Sequence, residues 1–152
     1  MATLKHVQRV WSHFLEKGGF DTHALSGLKV VAASKGNCLS ELVVAPHHLN
    51  RVGGCHGGLL SHIVDTGGSL AIAADDMYAT GVSTDLNVSF VSSAQLGDKL
   101  SIKSRCLKLG GTLAYTDVEI SVGDRIVAVG RHTKYVRVAH KANAEKKLDG
   151  EA

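Results

Sequence analysis

The chain has 152 residues, of which 44% are hydrophobic and 5% aromatic, and a formal net charge of +3 at pH 7. This length and apolar content predict one soluble domain with a substantial core, and no apolar run is long enough to span a bilayer. The mild charge and the few aromatic rings argue against a nucleic-acid binder, which would carry a dense basic stripe and stacking platforms.

The first predicted element is an amphipathic helix within residues 1–19. Its apolar positions alternate with Lys5, Arg9 and Lys17, and Glu16 is its only acid. The segment therefore resembles a transit peptide as well as a helix packed on the domain. We favour the packed helix, because arginine is sparse and no break separates the segment from the next part of the chain. The predicted location is accordingly cytoplasmic, with the mitochondrion as the alternative.

The next elements are predicted strands. Segments 27–34 and 37–44 are rich in β-forming residues and are joined by a short turn sequence containing Gly36, which predicts a hairpin. Polar and apolar residues alternate along the segment around Val118, as a half-covered sheet requires. Four consecutive antiparallel strands, separated by glycine-containing turns, are predicted over 82–92, 98–109, 112–122 and 126–138.

The segment 140–152 is charged and poor in large apolar residues. Such a composition is typical of a disordered tail, so the predicted domain covers residues 1–139. The cysteines are odd in number and lack the spacing of metal ligands, which indicates reduced thiols in a cytosol-like compartment. No neighbouring arrangement marks Cys55 as a nucleophile.

A glycine-rich run from Asn50 to Gly58 leads into an apolar helix, predicted over 59–74, that carries the carboxylate of Asp65. Glycines at a helix start leave backbone N–H groups bare, and the helix N-terminus favours developing negative charge. The helix has little polar face, so Asp65 is predicted to be a buried acid, which needs a partner or a function. The alternative to a functional site is that the glycine-rich run is an ordinary loop and that Asp65 is a structural carboxylate.

This order of elements predicts an α+β fold, an antiparallel sheet wrapped around the central helix. From about Val7 to Tyr135 the chain resembles the hotdog-fold thioesterases. The resemblance implies a hotdog fold, hydrolysis of an acyl-coenzyme A (acyl-CoA) thioester without a metal or redox cofactor, and a homodimer that assembles into a homotetramer. The motifs that carry it are Asn50, His56-Gly57-Gly58, Val64-Asp65, Gly81-Val82-Ser83, Leu96-Gly97-Asp98 and Gly130-Arg131-His132-Thr133-Lys134.

The resemblance also implies a role for each motif residue. Asn50 and the backbone N–H of Gly57 polarise the thioester oxygen. Asp65 activates water as a general base or, as the alternative, attacks the carbonyl itself. Ser83 holds the water or the carboxylate by hydrogen bonding. For the candidate catalytic residue His56 we favour a structural hydrogen-bonding role, with a base as the alternative. The corresponding alternatives are a cap or turn residue for Asn50 and a strand hydroxyl for Ser83.

For the CoA part of the substrate, the resemblance implies binding along two segments and one further tyrosine, with Arg131, His132 and Lys134 as additional cationic candidates for the phosphates. Two departures weaken this set: the first segment lacks the proline and basic residue usual in the family, and Gly111 stands where a lysine often does. The predicted CoA-binding residues are Ser83, Phe90, Val91, Ser92, Ser93, Ala94, Gln95, Lys108, Leu109, Gly110, Gly111, Thr112, Leu113 and Tyr135.

Helix geometry predicts that the site is shared between two subunits. If Gly57 and Asp65 lie on one continuous helix, eight residues at ~1.5 Å separate them by roughly 12 Å along its axis. Oxyanion donors and attacking group must both lie within about 3–3.5 Å of the reacting atoms. Antiparallel pairing of two such helices about a twofold axis would bring Gly57 of one chain towards Asp65 of the other.

The predicted reaction is hydrolysis of medium- or long-chain fatty acyl-CoA to free acid and CoA, the chain length coming from the resemblance alone. The alternatives are an aryl-acyl-CoA thioesterase of the phenylacetate type, an acyl-carrier-protein thioesterase and a non-catalytic acyl-CoA or lipid-binding module. A hotdog dehydratase is disfavoured, because the helix offers an acid without the acid–histidine pair that such chemistry uses.

Overall fold

The computed structural model describes residues 1–148. Within them, the predicted hairpin, central helix and four later strands are all present, with ends shifted by a few residues. In chain order the helices and strands are α1 (Ala2–Glu16), α2 (Phe20–Leu25), β1 (Lys29–Ser34), β2 (Asn37–Val43), α3 (Gly57–Ala73), β3 (Val82–Phe90), β4 (Lys99–Leu109), β5 (Leu113–Val122), β6 (Arg125–Tyr135) and α4 (Arg137–Leu148).

The strands form one antiparallel sheet in the order β1-β2-β4-β5-β6-β3. The hairpin prediction is confirmed, with Gly36 at φ +68° in its turn. The four later strands are antiparallel, as predicted, but β3 pairs with β6 rather than with β4, its neighbour in the sequence. Tight turns keep β4, β5 and β6 adjacent, whereas the longer connection 91–98 lets the chain leave β3 at one edge and enter β4 in the middle of the sheet.

One face of the sheet wraps around α3, as predicted. Two glycines of the helix permit a close approach: a Cβ on Gly67 would lie 2.6 Å from Ser104 Oγ, and one on Gly68 would lie 2.5 Å from Thr116 Oγ1. The alternation predicted for β5 is confirmed by its buried inward side chains, of which Val118 is 2% exposed. The core is formed mainly by Ile63, Val64 and Leu70 of the helix with Leu100, Ile102 and Ile120 of the strands.

Helix α1 packs on this core, as the favoured alternative predicts. Val7 and Val10 are buried, and the indole Nε1 of Trp11 donates to the backbone oxygen of Leu28 at 3.0 Å. None of the helices in residues 1–148 is long and apolar enough to cross a membrane.

The prediction of a disordered tail is wrong for residues 140–148, which continue helix α4. Asn143 is 7% exposed, and its Oδ1 accepts hydrogen bonds from the backbone N–H groups of Tyr78, at 2.6 Å, and Ala79, at 3.2 Å. Composition missed the helix because one polar side chain, rather than a row of large apolar ones, anchors it. The rest of the predicted tail, 149–152, lies outside the described residues.

Candidate active site

The predicted site residues gather at two places along β3. We call residues 50–57 and 90–95 the donor end, and Asp65, Ser83 and His132 the acid end. Because β3 is a strand of eight residue steps at ~3.3 Å, its two ends lie roughly 26 Å apart. Within one chain, the predicted site residues therefore form two separate groups.

At the donor end, Asn50 holds a tight turn. Its Oδ1 accepts hydrogen bonds from the backbone N–H groups of Val52, at 3.0 Å, and Gly54, at 3.1 Å, and its own N–H donates to Gly54 O at 2.7 Å. The amide Nδ2 of Asn50 has no hydrogen-bond partner among residues 1–148. The side chain is thus both a turn residue and a fixed donor that can polarise a carbonyl oxygen.

His56 is the N-cap of α3, and its Nδ1 accepts from the backbone N–H of Gly58 at 2.8 Å. The N–H groups of Leu59 and Leu60 bond to the carbonyl oxygen of His56. Among the N–H groups of this first turn in the described chain, the N–H of Gly57 takes part in none of these hydrogen bonds. It lies at the positive end of the helix dipole and is available to an oxyanion. His56 thus makes a structural contact at the start of α3.

The segment from Phe90 to Gln95 closes over this turn. A Cβ on Gly57 would lie 3.3 Å from the Phe90 ring, and the Cys55 N–H donates to Ala94 O at 2.8 Å. Cys55 is 7% exposed, and burial raises the pKa of its thiol to about 11. It is therefore a protonated thiol at neutral pH, in agreement with the prediction that it is not a nucleophile.

At the acid end, His132 links α3 to β3. Its Nδ1 donates to the backbone oxygen of Asp65 at 3.1 Å, because a carbonyl oxygen can only accept. Its Nε2 lies 2.7 Å from Ser83 Oγ and 3.6 Å from Asp65 Oδ1. His132 is fully buried, and this burial lowers its pKa below the ordinary value, although the Asp65 charge acts in the opposite direction. The neutral ring accepts the Ser83 hydroxyl proton, which leaves the Ser83 oxygen free to accept from water.

The prediction that Asp65 is buried is wrong for the single chain, because its side chain is 46% exposed. Most of α3 is buried, but the sheet covers only part of its circumference, and Asp65 lies on the strip beside β3 that remains open. Apolar side chains of the edge strand are also exposed there, including Val82 at 64% and Leu86 at 41%. Asp65 and these exposed apolar side chains thus lie on one open surface of the chain.

The structure also corrects the cationic candidates for the CoA phosphates. His132 is 0% and Lys134 4% exposed, so neither can bind an external phosphate as placed. Arg131 is exposed on the opposite face of the sheet. The alternation of side chains along β6 could have predicted this burial. His132 and Lys134 point to the same face of the strand as buried Ala128.

The sequence indicated no acid–histidine pair, but the structure contains one. His132 Nε2 of β6 lies 3.6 Å from Asp65 Oδ1 of α3. The supposed absence of such a pair therefore no longer disfavours dehydration. Because α3 and β6 are far apart in the sequence, no local sequence pattern predicts this pair. Within residues 1–148, no cluster of three or more His, Cys, Asp or Glu side chains is arranged to hold a metal ion.

Helix α2 flanks the acid end, a contact that sequence reasoning missed. Asp21 Oδ1 lies 2.6 Å from His62 Nε2, and the Phe20 ring stacks on the His62 ring at 4.4 Å. These residues line a cavity of about 400 Å³ together with Asp65 and Leu86. The acid thus faces a recess of a size suited to small-molecule binding.

The remaining predicted CoA-binding residues lie at the acid end of β3. Tyr135 pairs with Val82 in the sheet, and its neighbour Leu113 closes the turn 108–113 by accepting from the Gly110 N–H at 2.9 Å. In a single chain, this turn therefore stands far from the Phe90 to Gln95 segment. One chain does not unite the predicted CoA-binding residues.

Comparisons with known proteins agree with this architecture. The model of the family described as Thioesterase superfamily matches residues 52–129. Human acyl-coenzyme A thioesterase 13 is 36% identical over 114 residues, which cover 74% of this chain and 81% of the human protein. Zebrafish thioesterase superfamily member 2 superposes with a TM-score of 0.80 at 34% identity, covering 87% of this chain and 96% of that one. A Streptococcus mutans protein bound to acetyl CoA superposes with a TM-score of 0.67 at 26% identity, covering 71% and 86%.

Proposed function

The chain belongs to the thioesterase superfamily and is a thioester hydrolase, and we propose that its substrates are acyl-CoA thioesters, cleaved to a free acid and CoA. One observation carries the proposal: bare oxyanion donors and an acid beside a recess lie at opposite ends of one edge strand. The acetyl CoA bound to the Streptococcus mutans relative supports CoA as the thiol. Medium- and long-chain fatty acyl groups are the proposed acyl part.

Asp65 is the proposed general base. Its carboxylate takes a proton from a water molecule, and the water oxygen attacks the thioester carbonyl carbon, which gives a tetrahedral oxyanion. Ser83 supports the attacking water: its hydroxyl proton is held by His132 Nε2 at 2.7 Å, so that its oxygen accepts from the water. Collapse of the intermediate breaks the C–S bond, and the CoA sulfur leaves with a proton.

The oxyanion is stabilised by the Nδ2 of Asn50 and the N–H of Gly57. Both are held before the substrate arrives, Asn50 by its two backbone contacts and Gly57 by the helix start. Preorganised donors of this kind contribute about 10²–10³ each in rate. The mechanism uses only side chains and backbone groups of the protein, with CoA as part of substrate and product.

We place each complete site between two subunits. Gly57 and Asp65 lie on the same uninterrupted helix, roughly 12 Å apart along its axis, so one chain cannot present both to one carbonyl. Strand β3 is an edge strand whose exposed residues include Phe90, at 57%. An exposed apolar edge favours pairing with a second copy. Antiparallel pairing of two β3 strands about a twofold axis sets the donor end of one subunit against the acid end of the other.

The same pairing unites the proposed CoA-binding residues. The segment from Phe90 to Gln95 of one subunit comes to lie near the turn 108–113 and Tyr135 of the partner subunit, which a single chain keeps apart. This twofold arrangement makes the proposed assembly a homodimer, and we further propose that two such dimers assemble into a homotetramer. The free thiols of Cys38, Cys55 and Cys106 suit a reducing compartment, and we place the enzyme in the cytoplasm or the mitochondrion.

Dehydration is the second candidate reaction, because Asp65 and His132 form an acid–histidine pair. A 3-hydroxyacyl-CoA separates the two reactions: dehydration produces a conjugated enoyl thioester, whereas hydrolysis releases free CoA.

The experiment that tests the proposed function is turnover of a thioester panel with direct detection of the released thiol. The panel contains short, medium and long fatty acyl-CoA, an aryl-acyl-CoA, a 3-hydroxyacyl-CoA and an acyl-carrier-protein thioester. We expect stoichiometric CoA release that is fastest for medium or long fatty acyl groups. Binding without release would make the protein a non-catalytic module, and faster release from the aryl or carrier-protein substrate would replace the proposed acyl class.

A further inference from the structure

Two recesses adjoin Asp65, and they differ in the groups that line them. The smaller, of about 400 Å³, is lined by the Phe20 ring and the Leu86 side chain. The larger, of about 560 Å³, is lined by several hydroxyl side chains, among them that of Ser83. Asp21 and Asp65 line both, so these two acids stand where the recesses meet.

The reaction puts the start of the acyl chain beside Asp65. In the proposed mechanism the thioester carbonyl carbon lies within about 3–3.5 Å of the water that Asp65 activates. That carbon carries the CoA sulfur on one side and the first carbon of the acyl chain on the other. An apolar chain that begins there gains most by entering the recess with apolar side chains, because it then leaves water.

The polar side chains of the smaller recess are already engaged. Asp21 Oδ1 lies 2.6 Å from His62 Nε2, and Ser61 Oγ donates to a backbone oxygen at 3.0 Å. The apolar side chains are open by contrast, since Phe20 is 68% and Leu86 41% exposed. The recess therefore offers apolar surface to a ligand.

Phe20 is exposed and yet fixed in position. One face of its ring stacks on the buried His62 ring, with centroids 4.4 Å apart and planes 13° from parallel. The next residue, Asp21, contacts the same histidine, and Thr22 Oγ1 donates to Leu15 O at 2.8 Å. A helix of six residues is not stable by itself, so these contacts hold α2 and the ring in place. A ring fixed before binding loses little conformational entropy when a ligand covers it.

We propose that Phe20 is a specificity-determining residue, and that the open face of its ring, together with Leu86, forms the surface on which the acyl chain lies. His62 and Asp21 are positioning residues, because they hold the ring and do not touch the chain. This role rests on the proposed function, which puts the reacting carbonyl beside Asp65. It gives a preference for longer acyl groups a physical cause: each methylene that leaves water against the ring stabilises bound substrate, whereas an acetyl group ends next to Asp65.

The first test compares acetyl-CoA with decanoyl-CoA as substrates of the wild type, Phe20→Ala and Asp21→Ala. In Phe20→Ala we expect kcat/KM for decanoyl-CoA to fall about 10-fold, the lower limit for one methylene in an apolar pocket, and that for acetyl-CoA to change by less than about twofold. Asp21→Ala should lower the decanoyl value by a smaller factor. Val31→Ala, exposed on β1 at the other edge of the sheet, is the control and should follow the wild type.

Binding of the acyl chain can also be measured without turnover. S-ethyl-CoA and S-decyl-CoA are thioethers, which cannot be hydrolysed as thioesters are. By calorimetry, Phe20→Ala should bind S-decyl-CoA about 10-fold more weakly than the wild type and S-ethyl-CoA equally well. An equal loss for both ligands would put the CoA part against the ring and overturn the proposal, as would unchanged binding of both.

Analytical ultracentrifugation tests whether Phe20 is instead a contact between subunits. Dissociation of Phe20→Ala with an unchanged ratio of S-decyl-CoA to S-ethyl-CoA affinity would overturn the proposal in favour of that contact. An unchanged decanoyl-to-acetyl ratio in Asp21→Ala would overturn the positioning role of Asp21. If the wild type cleaves no thioester, the proposed function fails, whereas the thioether affinities still decide whether Phe20 binds the chain.

Discussion

The two ends of β3 are built in different ways. The donor end is a local structure: Asn50 is bonded to its own turn, and the His56 cap is bonded two residues ahead. The acid end is assembled across the core, where fully buried His132 joins Asp65 on the helix to Ser83 on the edge strand. The donors should therefore survive changes elsewhere in the protein, whereas the acid depends on how closely α3 packs against the sheet.

The largest expected effect is on kcat, in a variant that removes the carboxylate of Asp65 but keeps the size of its side chain. Asp65→Asn keeps the size of the side chain but removes the base, so kcat should fall by about 10²–10⁴ while KM changes little. Steady-state kinetics on the best thioester of the panel measure both quantities. Asp124→Asn, in the exposed turn between β5 and β6, is the matched control. Wild-type turnover in Asp65→Asn would remove Asp65 from the mechanism.

The next effect tests whether the two ends come from different subunits. Asn50→Ala and Asp65→Ala chains should each be nearly inactive, and a fully exchanged mixture should regain about a quarter of the wild-type activity. Half of the dimers are then mixed, and each mixed dimer holds one intact site. Mass spectrometry of differently tagged chains measures the exchange. Complete exchange with no recovery would show that both ends act within one chain.

A pair of glycine variants compares the packing of the two ends. A Cβ on Gly68 would lie 2.5 Å from Thr116 Oγ1 and 2.9 Å from His132 Nδ1, whereas the three atoms nearest to one on Gly57 belong to the Phe90 ring, the first at 3.3 Å. Gly68→Ala should cost about 1–3 kcal/mol of unfolding free energy, partly offset by the helix propensity of alanine. Gly57→Ala should change the unfolding free energy much less. Equal denaturation midpoints for the two variants would contradict this difference.

The smallest expected effect concerns α4, which holds the segment leading into the acid end. Asn143→Ala leaves the N–H groups of Tyr78 and Ala79 without their acceptor and should cost about 1–2 kcal/mol, because water can reach this terminal helix. Thermal unfolding measures the loss. Exposed Lys141→Ala, on the same helix, is the control. Equal stability of the two variants would show that Asn143 does not anchor α4.

The sequence was a good guide wherever the relevant contacts are local. The hairpin turn at Gly36, the glycine-rich start of α3 and the alternation of β5 each follow from residues a few positions apart. The donor end belongs to this group, because Asn50 and His56 bond to backbone atoms within four residues of themselves. Periodicity also identified α3 as the buried central helix.

The sequence was a poor guide wherever a contact joins distant positions. His132 lies 67 positions from Asp65 and 49 from Ser83, so no spacing rule connects them, and a cation in β6 was assigned to phosphates instead. The same applies to α4, whose anchoring residue Asn143 bonds 65 positions back along the chain to Tyr78. The exposure of Asp65 depended on how far the sheet curls around α3, which composition does not specify.

By itself, then, the sequence determined the order of the elements, the helix that carries the acid and the turn that carries the proposed oxyanion donors, because turns, caps and periodic faces are encoded by neighbouring residues. Only the tertiary structure decided that β3 is an edge strand, that a buried histidine lies beside Asp65, and that the predicted donors and the acid stand at opposite ends of one strand. Strand order and side-chain burial arise from packing of the whole sheet against α3, and that packing involves residues far apart in the chain.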